Sequence, residues 1–165
     1  QYNHDVTLRR LNALCELMQQ YRYETALADQ AMAVFHHYRS QVTPFADTIA
    51  TLDLLRDRYV LIGITNGNAQ IEQTALQGYF DFTISAGDVG VLKPHPQIFE
   101  QAIAQAGVEP AQVLHVGDHA QADVVGALRA GCRAVWFNAA RREWPGGQNP
   151  DAVIHRLSEI IDLLQ

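Results

Sequence analysis

Apolar positions in the first forty residues recur at steps of three and four. Leu8, Leu11, Leu14, Cys15, Met18 and Tyr21 paint one stripe on a helix, with Asp5 or Thr7 available to cap its start. A second helix is predicted from about Thr25 to Gln41, with Leu27, Ala31, Met32, Phe35 and Tyr38 along one side. Neither segment carries a strand-like run. Pro44 then interrupts the pattern, which places a boundary near Thr43–Pro44 and divides the chain into residues 1–43 and 44–165.

Beyond Pro44 helical and strand-like patterns alternate. Phe45, Ile49, Leu52 and Leu55 mark a helix, and Tyr59 to Ile64 is an apolar run suited to a buried strand. A helix is expected over Ala69 to Gln77 with Gly78 as its stop, then a short strand at Phe82 to Ser85. Pro96 to Ala106 has the clearest helix signals: Pro96 in the first turn, a stripe of Ile98, Phe99, Ala102 and Ile103, and Gly107 at the end. A strand at Val113 to Val116, a helix at Gln121 to Ala130 and a strand at Ala134 to Phe137 follow. Residues Arg141 to Pro150, with two Pro and two Gly, read as a loop. A weaker strand at Ala152 to His155 and a helix at Ser158 to Leu164 close the chain. Strands joined by helical crossovers imply an α/β fold with a Rossmann-like parallel sheet, and ligands of such sheets sit at the carboxyl ends of the strands.

Composition narrows the classes. With 165 residues, 48% of them hydrophobic and 18% charged, the chain suits one globular domain with a small appendage. A net charge of −6 without a basic cluster argues against nucleic acid or an anionic membrane as partner. Cys15 and Cys132 lie far apart and form no metal-ligand spacing, so free thiols and a cytoplasmic location are expected. The sequence leaves the oligomeric state open. Its first Met is Met18 and no secretory signal precedes it, so an upstream segment is expected. Eleven Arg stand against a single Lys, Lys93.

Three features fall at strand ends. In Thr65-Asn66-Gly67, a hydroxyl, an amide and a Gly follow a strand and precede helical spacing. The turn can offer a hydroxyl and backbone N–H groups to an anion, whereas a hairpin reading of Asn-Gly needs a strand next. In Lys93-Pro94-His95-Pro96, the lone ammonium can reach the same face as a point charge, and Asp88 could orient it or cap a turn. In Gly117-Asp118 with Asp123 five residues on, two carboxylates converge near a strand end, a pattern suited to magnesium; capping by Asp118 is the plainer alternative. His115 reads as a satisfied core residue, His119 has no evident partner, and His36 and His37 read as solvated. Trp136 and Trp144 read as core and loop packing. A hydroxyl, an ammonium and an acid pair at successive strand ends are what phosphoryl transfer needs, apart from a nucleophile.

In order and spacing these motifs resemble the second, third and fourth motifs of the haloacid dehalogenase superfamily, over roughly residues 44 to 140. The two leading helices look like the end of the helical cap that these proteins insert after their first strand. The stretch from Ile64 to Gln70, with His4 to Thr7, is most similar to bacterial flavin-pathway phosphatases. The resemblance implies that Thr65 and Asn66 bind phosphoryl oxygens, with Gly67 in the same turn. It implies Lys93 against phosphate and nucleophile, Asp118 on magnesium, and Asp123 in or behind that metal shell. It also implies an aspartyl-phosphate mechanism on a small phosphorylated metabolite. The nucleophile belongs to a first motif of two Asp residues two apart, which this sequence lacks and which is expected upstream.

Three rivals remain. A carbon–halogen hydrolase of the same superfamily is disfavoured by the acidic pair. A receiver-like signalling domain is disfavoured because its acidic pair precedes the Thr and Lys. A non-catalytic binding domain fits the 165 residues taken literally. The resemblance also places the upstream strand between those ending at Thr65 and at Gly117. Without it each would keep unpaired backbone groups, at about 1–3 kcal/mol for every one that is buried. Residues 1–165 alone are therefore expected not to form a stable, active monomer.

Overall fold

The computed structural model describes residues 6–67 and 70–165. Asp5, as a helix cap, and the proposed helix start at Ala69 fall outside these residues. The chain opens with two helices, α1 (Val6–Gln20) and α2 (Ala26–Ser40). The stripe on α1 is half-buried, with Tyr21 just past its end largely exposed, while α2 buries Ala28 and Met32 and leaves Tyr38 in solvent. Next come α3 (Thr48–Arg56), β1 (Ile62–Thr65), β2 (Phe82–Ser85), α4 (Ala86–Val89), α5 (Pro96–Ala106) and β3 (Leu114–Gly117). Then follow α6 (Gly126–Arg129), β4 (Arg133–Phe137), β5 (Ala152–Ile154) and α7 (Ile160–Leu163). No described helix is long and apolar enough to cross a membrane.

The expected α/β class holds, and every strand pairing is parallel. The strands form two groups, β1–β2 and β3–β4–β5. Residues of both groups enter one core, and Leu61, just before β1, reaches a second. On one face Ile62, Ile64 and Ile84 meet Ala134 and Trp136 beneath α5, around Phe99 and Val124. On the other, Leu61, Leu114, Val116, Val135 and Ile154 pack with Leu55 of α3 and Ile160 of α7.

Among the described residues β1 and β3 each pair on one side only. The Leu61 carbonyl accepts from the Asp81 N–H, toward β2. In a strand, alternate residues turn their backbone groups to opposite sides. The groups of Ile62 and Ile64 therefore face the unpaired edge.

Three segments depart from the sequence reading. The helix expected over residues 69–77 is a single 3₁₀ turn, Ile71–Gln73. Thr74 there donates its hydroxyl to the Ile71 carbonyl and accepts from the Leu76 N–H, a local arrangement that competes with helix propagation. α4 was not anticipated, although Ser85 and Asp88 form a capping box and Gly90 ends the helix at φ +78°. The helix after β3 opens as a π-helical stretch, Ala120–Val125, before α6. Both cysteines are free, Cys132 buried with burial raising its thiol pKa.

Candidate active site

The centre of the site is Lys93. Its Nζ lies 2.7 Å from the Ile64 carbonyl on the unpaired edge of β1 and 2.7 Å from Asp123 Oδ1 at the end of β3. The ammonium thus spans the two strand groups at their carboxyl ends. Its backbone is held as firmly: the Lys93 N–H donates to Asn66 Oδ1 at 2.7 Å, and Asn66 Nδ2 donates to the Lys93 carbonyl at 3.0 Å. This reciprocal pair fixes the Thr65 turn and the Lys93 segment to each other across 27 residues of sequence. The Lys93–Pro94 peptide is cis.

Thr65 is exposed, and its Oγ1 accepts from the Gly67 N–H at 2.9 Å. Accepting that bond leaves the hydroxyl proton available to a further acceptor. The turn that follows is not a hairpin.

Asp123 is 4% exposed and reaches its place through a close approach. A Cβ on Gly117 would stand 2.3 Å from its Cγ, so only Gly admits this carboxylate against the end of β3. Its Oδ2 accepts from the His119 N–H at 2.9 Å, and His115 Nε2 lies 3.3 Å from Oδ1. Burial alone pushes the Asp123 carboxyl pKa up. The His115 hydrogen bond, the Lys93 charge and the His119 N–H outweigh that and hold it well below the usual carboxylate range.

Asp118 differs. It is exposed; its backbone carbonyl accepts from Trp136 Nε1 at 3.0 Å, and its carboxylate has no partner among the described residues. Among the described residues no group of three His, Cys, Asp or Glu side chains gathers as a ready metal cage. The structure thus joins Thr65, Asn66, Lys93 and Asp123 through direct contacts or neighbouring backbone, while Asp118 follows Gly117 at the end of β3 with its carboxylate unpaired among the described residues.

Other residues fall as follows. Asp88 caps α4 rather than orienting Lys93. His115 is satisfied, but by the site: it touches Asp123 and stands edge-on to Phe99 at 5.1 Å. Its alternation along β3 placed it inward, while nothing in the spacing showed which carboxylate it would meet. His119 finds the Ala122 N–H as partner, at 3.1 Å. His36 is half-buried rather than solvated, its ring 5.6 Å from that of Phe35. Trp144 packs on Trp136 at 5.0 Å.

Comparison with known proteins agrees with this geometry. Residues 2–131 match the family model of haloacid dehalogenase-like hydrolases. The pyrimidine 5'-nucleotidase YjjG of Escherichia coli K12 is 37% identical over 74% of this chain and 57% of its own length. The 5-amino-6-(5-phospho-D-ribitylamino)uracil phosphatase YigB of the same organism is 33% identical over 98% of this chain and 71% of its own. A solved structure titled 2-haloacid dehalogenase, from Pseudomonas syringae pv. Tomato DC3000, superposes with a TM-score of 0.95 at 36% identity. It covers 99% of this chain and 73% of that one. The chain belongs to the haloacid dehalogenase-like hydrolases.

Proposed function

We propose that this haloacid dehalogenase-like hydrolase is a magnesium-dependent phosphomonoesterase acting on a small phosphorylated metabolite. The observation that carries the reading is the Lys93 ammonium, held at 2.7 Å from both Ile64 O and Asp123 Oδ1 and next to the exposed Thr65. A phosphoryl group seated there meets the Thr65 O–H and the positive end of Lys93. Both are fixed before the substrate arrives, which is the condition for stabilising charge that spreads onto equatorial oxygens.

The residues present fit magnesium in part. Asp118 would offer it a free carboxylate, and phosphate oxygens would complete much of the shell, as is common for this ion. Both oxygens of Asp123 are already engaged, so its part is to stand behind the site and aim Lys93. Bound magnesium would supply charge neutralisation on the phosphoryl oxygens. The attacking carboxylate would come from a strand paired between β1 and β3; it would displace the substrate's alcohol from phosphorus to form an aspartyl-phosphate, which water would then hydrolyse to release phosphate. On this reading residues 1–43 are the last part of a helical cap and residues 44–165 the core. Carbon–halogen hydrolysis is the rival, favoured by the similarity to the Pseudomonas 2-haloacid dehalogenase; the Asp118 carboxylate, unpaired among the described residues, speaks for phosphate.

The test is turnover by the whole protein on p-nitrophenyl phosphate, a pyrimidine 5'-nucleotide, 5-amino-6-(5-phospho-D-ribitylamino)uracil and a 2-haloacid. Phosphate release that stops in EDTA and returns with magnesium is expected. Undiminished release in EDTA, or faster halide release, would overturn the reading.

A further inference from the structure

The helical segment brings a second cation to the same mouth. Arg39, the penultimate residue of α2, is exposed, and its Nη2 lies 3.8 Å from where a Cβ on Gly67 would stand. The guanidinium therefore rests over the Thr65-Asn66-Gly67 turn. This placement is anchored: Ser40, next in sequence and 1% exposed, accepts the Gln70 N–H through its Oγ at 3.1 Å, tying the end of α2 to the loop beyond the turn.

The charges at this mouth are unequal in their commitments. Lys93 is paired with Asp123, while the exposed Asp118 carboxylate has no partner among the described residues. Arg39 has no carboxylate partner and no hydrogen-bond acceptor among the described residues, and its planar fork matches two oxygens of a phosphate. We propose that Arg39 is a substrate-binding residue that clamps the phosphate group from the helical segment, opposite Lys93. The inference rests on the phosphomonoesterase reading and adds a residue to it from outside the α/β core.

The experiment compares the whole wild-type protein with Arg39→Gln and Arg39→Lys. Inorganic phosphate serves as competitive inhibitor and p-nitrophenyl phosphate as substrate. Arg39→Gln should weaken phosphate inhibition and raise KM together, by about tenfold or more, with kcat changed far less. Arg39→Lys should recover part of the loss, since it restores the charge but not the fork. Thermal unfolding should be unchanged, because the side chain is exposed. Phosphate inhibition in Arg39→Gln within twofold of wild type would overturn the role of Arg39 and leave the phosphatase reading standing. A wild-type protein that neither hydrolyses the ester nor is inhibited by phosphate would overturn both.

Discussion

The two strand groups are made differently, although they share a core. β4 is paired on both sides, with Ala134, Val135 and Trp136 all at or below 5% exposure. β1 is paired on one side, half-buried along its length, and exposed at Thr65. The polar side-chain ties of the β3–β4–β5 group run to its own flanking loops: the Ala134 N–H donates to Asp151 Oδ2 and Trp136 Nε1 to the Asp118 carbonyl. Those at the end of β1 run to one distant loop: Asn66 to the Lys93 backbone and Ile64 to the Lys93 ammonium. The Lys93 ammonium thereby joins the two groups, donating to the Ile64 carbonyl on the open side of β1 and pairing with Asp123 beside β3.

The sharpest way to break this arrangement is Asp123→Asn. Lys93 is 12% exposed at its side chain, and its carboxylate partner 6%. Removing one charge of a buried pair leaves the other stranded, at about 3–5 kcal/mol. Asp123→Asn should lower the melting temperature markedly and abolish turnover. Adding Lys93→Met should return part of the stability and none of the activity. A single variant that melts with the wild type would show that the ion pair is not what joins the two groups.

The next effect concerns space. Gly117→Ala forces a Cβ to within 2.3 Å of Asp123 Cγ, and Gly126→Ala forces one to 2.8 Å from Phe99 Cε2 and 3.0 Å from Pro94 Cα. Overpacking of this kind costs about 1–3 kcal/mol. The two should differ in kind. Gly117→Ala displaces the carboxylate that aims Lys93 and should lose activity out of proportion to stability. Gly126→Ala crowds the opposite side of the Lys93–Pro94 loop and should lose mainly stability. Equal losses of activity per unit of destabilisation would remove the distinction.

Much of this was legible in the sequence because the relevant signals are local. Pro96 and Gly107 bracket α5, the strands are short apolar runs, and the Thr65, Lys93 and Asp118 turns fall where parallel strands end. What was not legible is what depends on partners far along the chain. The Gln70 N–H goes to Ser40, thirty residues earlier, a tie that no local pattern shows. The engagement of Asp123 by His115 follows from a π-helical opening that no residue spacing announces. α4 was readable from Ser85, Asp88 and Gly90, but its four residues are too few to show a period. The division of labour between Asp118, free, and Asp123, engaged, needed the geometry.

The smallest expected effect tests the side of the molecule away from Lys93. Asp47, just before α3, accepts the Ser158 N–H through Oδ2 at 2.8 Å and so ties the start of α3 to the segment leading into α7. That bond, chiefly, holds its carboxyl below the ordinary range. A lowered folded-state pKa contributes stability that is fully present above the unfolded value, about 3.9, and is lost as pH falls through the folded one. Stability from Asp47 should thus be flat between pH 8 and 5 and should fade only below about pH 4. Asp47→Asn should cost about 1 kcal/mol or less near neutrality, since the group is half-exposed and a neutral acceptor replaces a charged one. Turnover should be untouched, because no catalytic contact passes through this tie. The measurement is thermal unfolding of both proteins from pH 7 to pH 3, where the gap between them should narrow as Asp47 takes up its proton. A gap that stays constant to pH 3 would mean that the Ser158 bond does not depend on the charge. A loss of activity at pH 7 would mean that the packing around α3 and α7 reaches the site after all, and that the two strand groups are less independent than their ladders suggest.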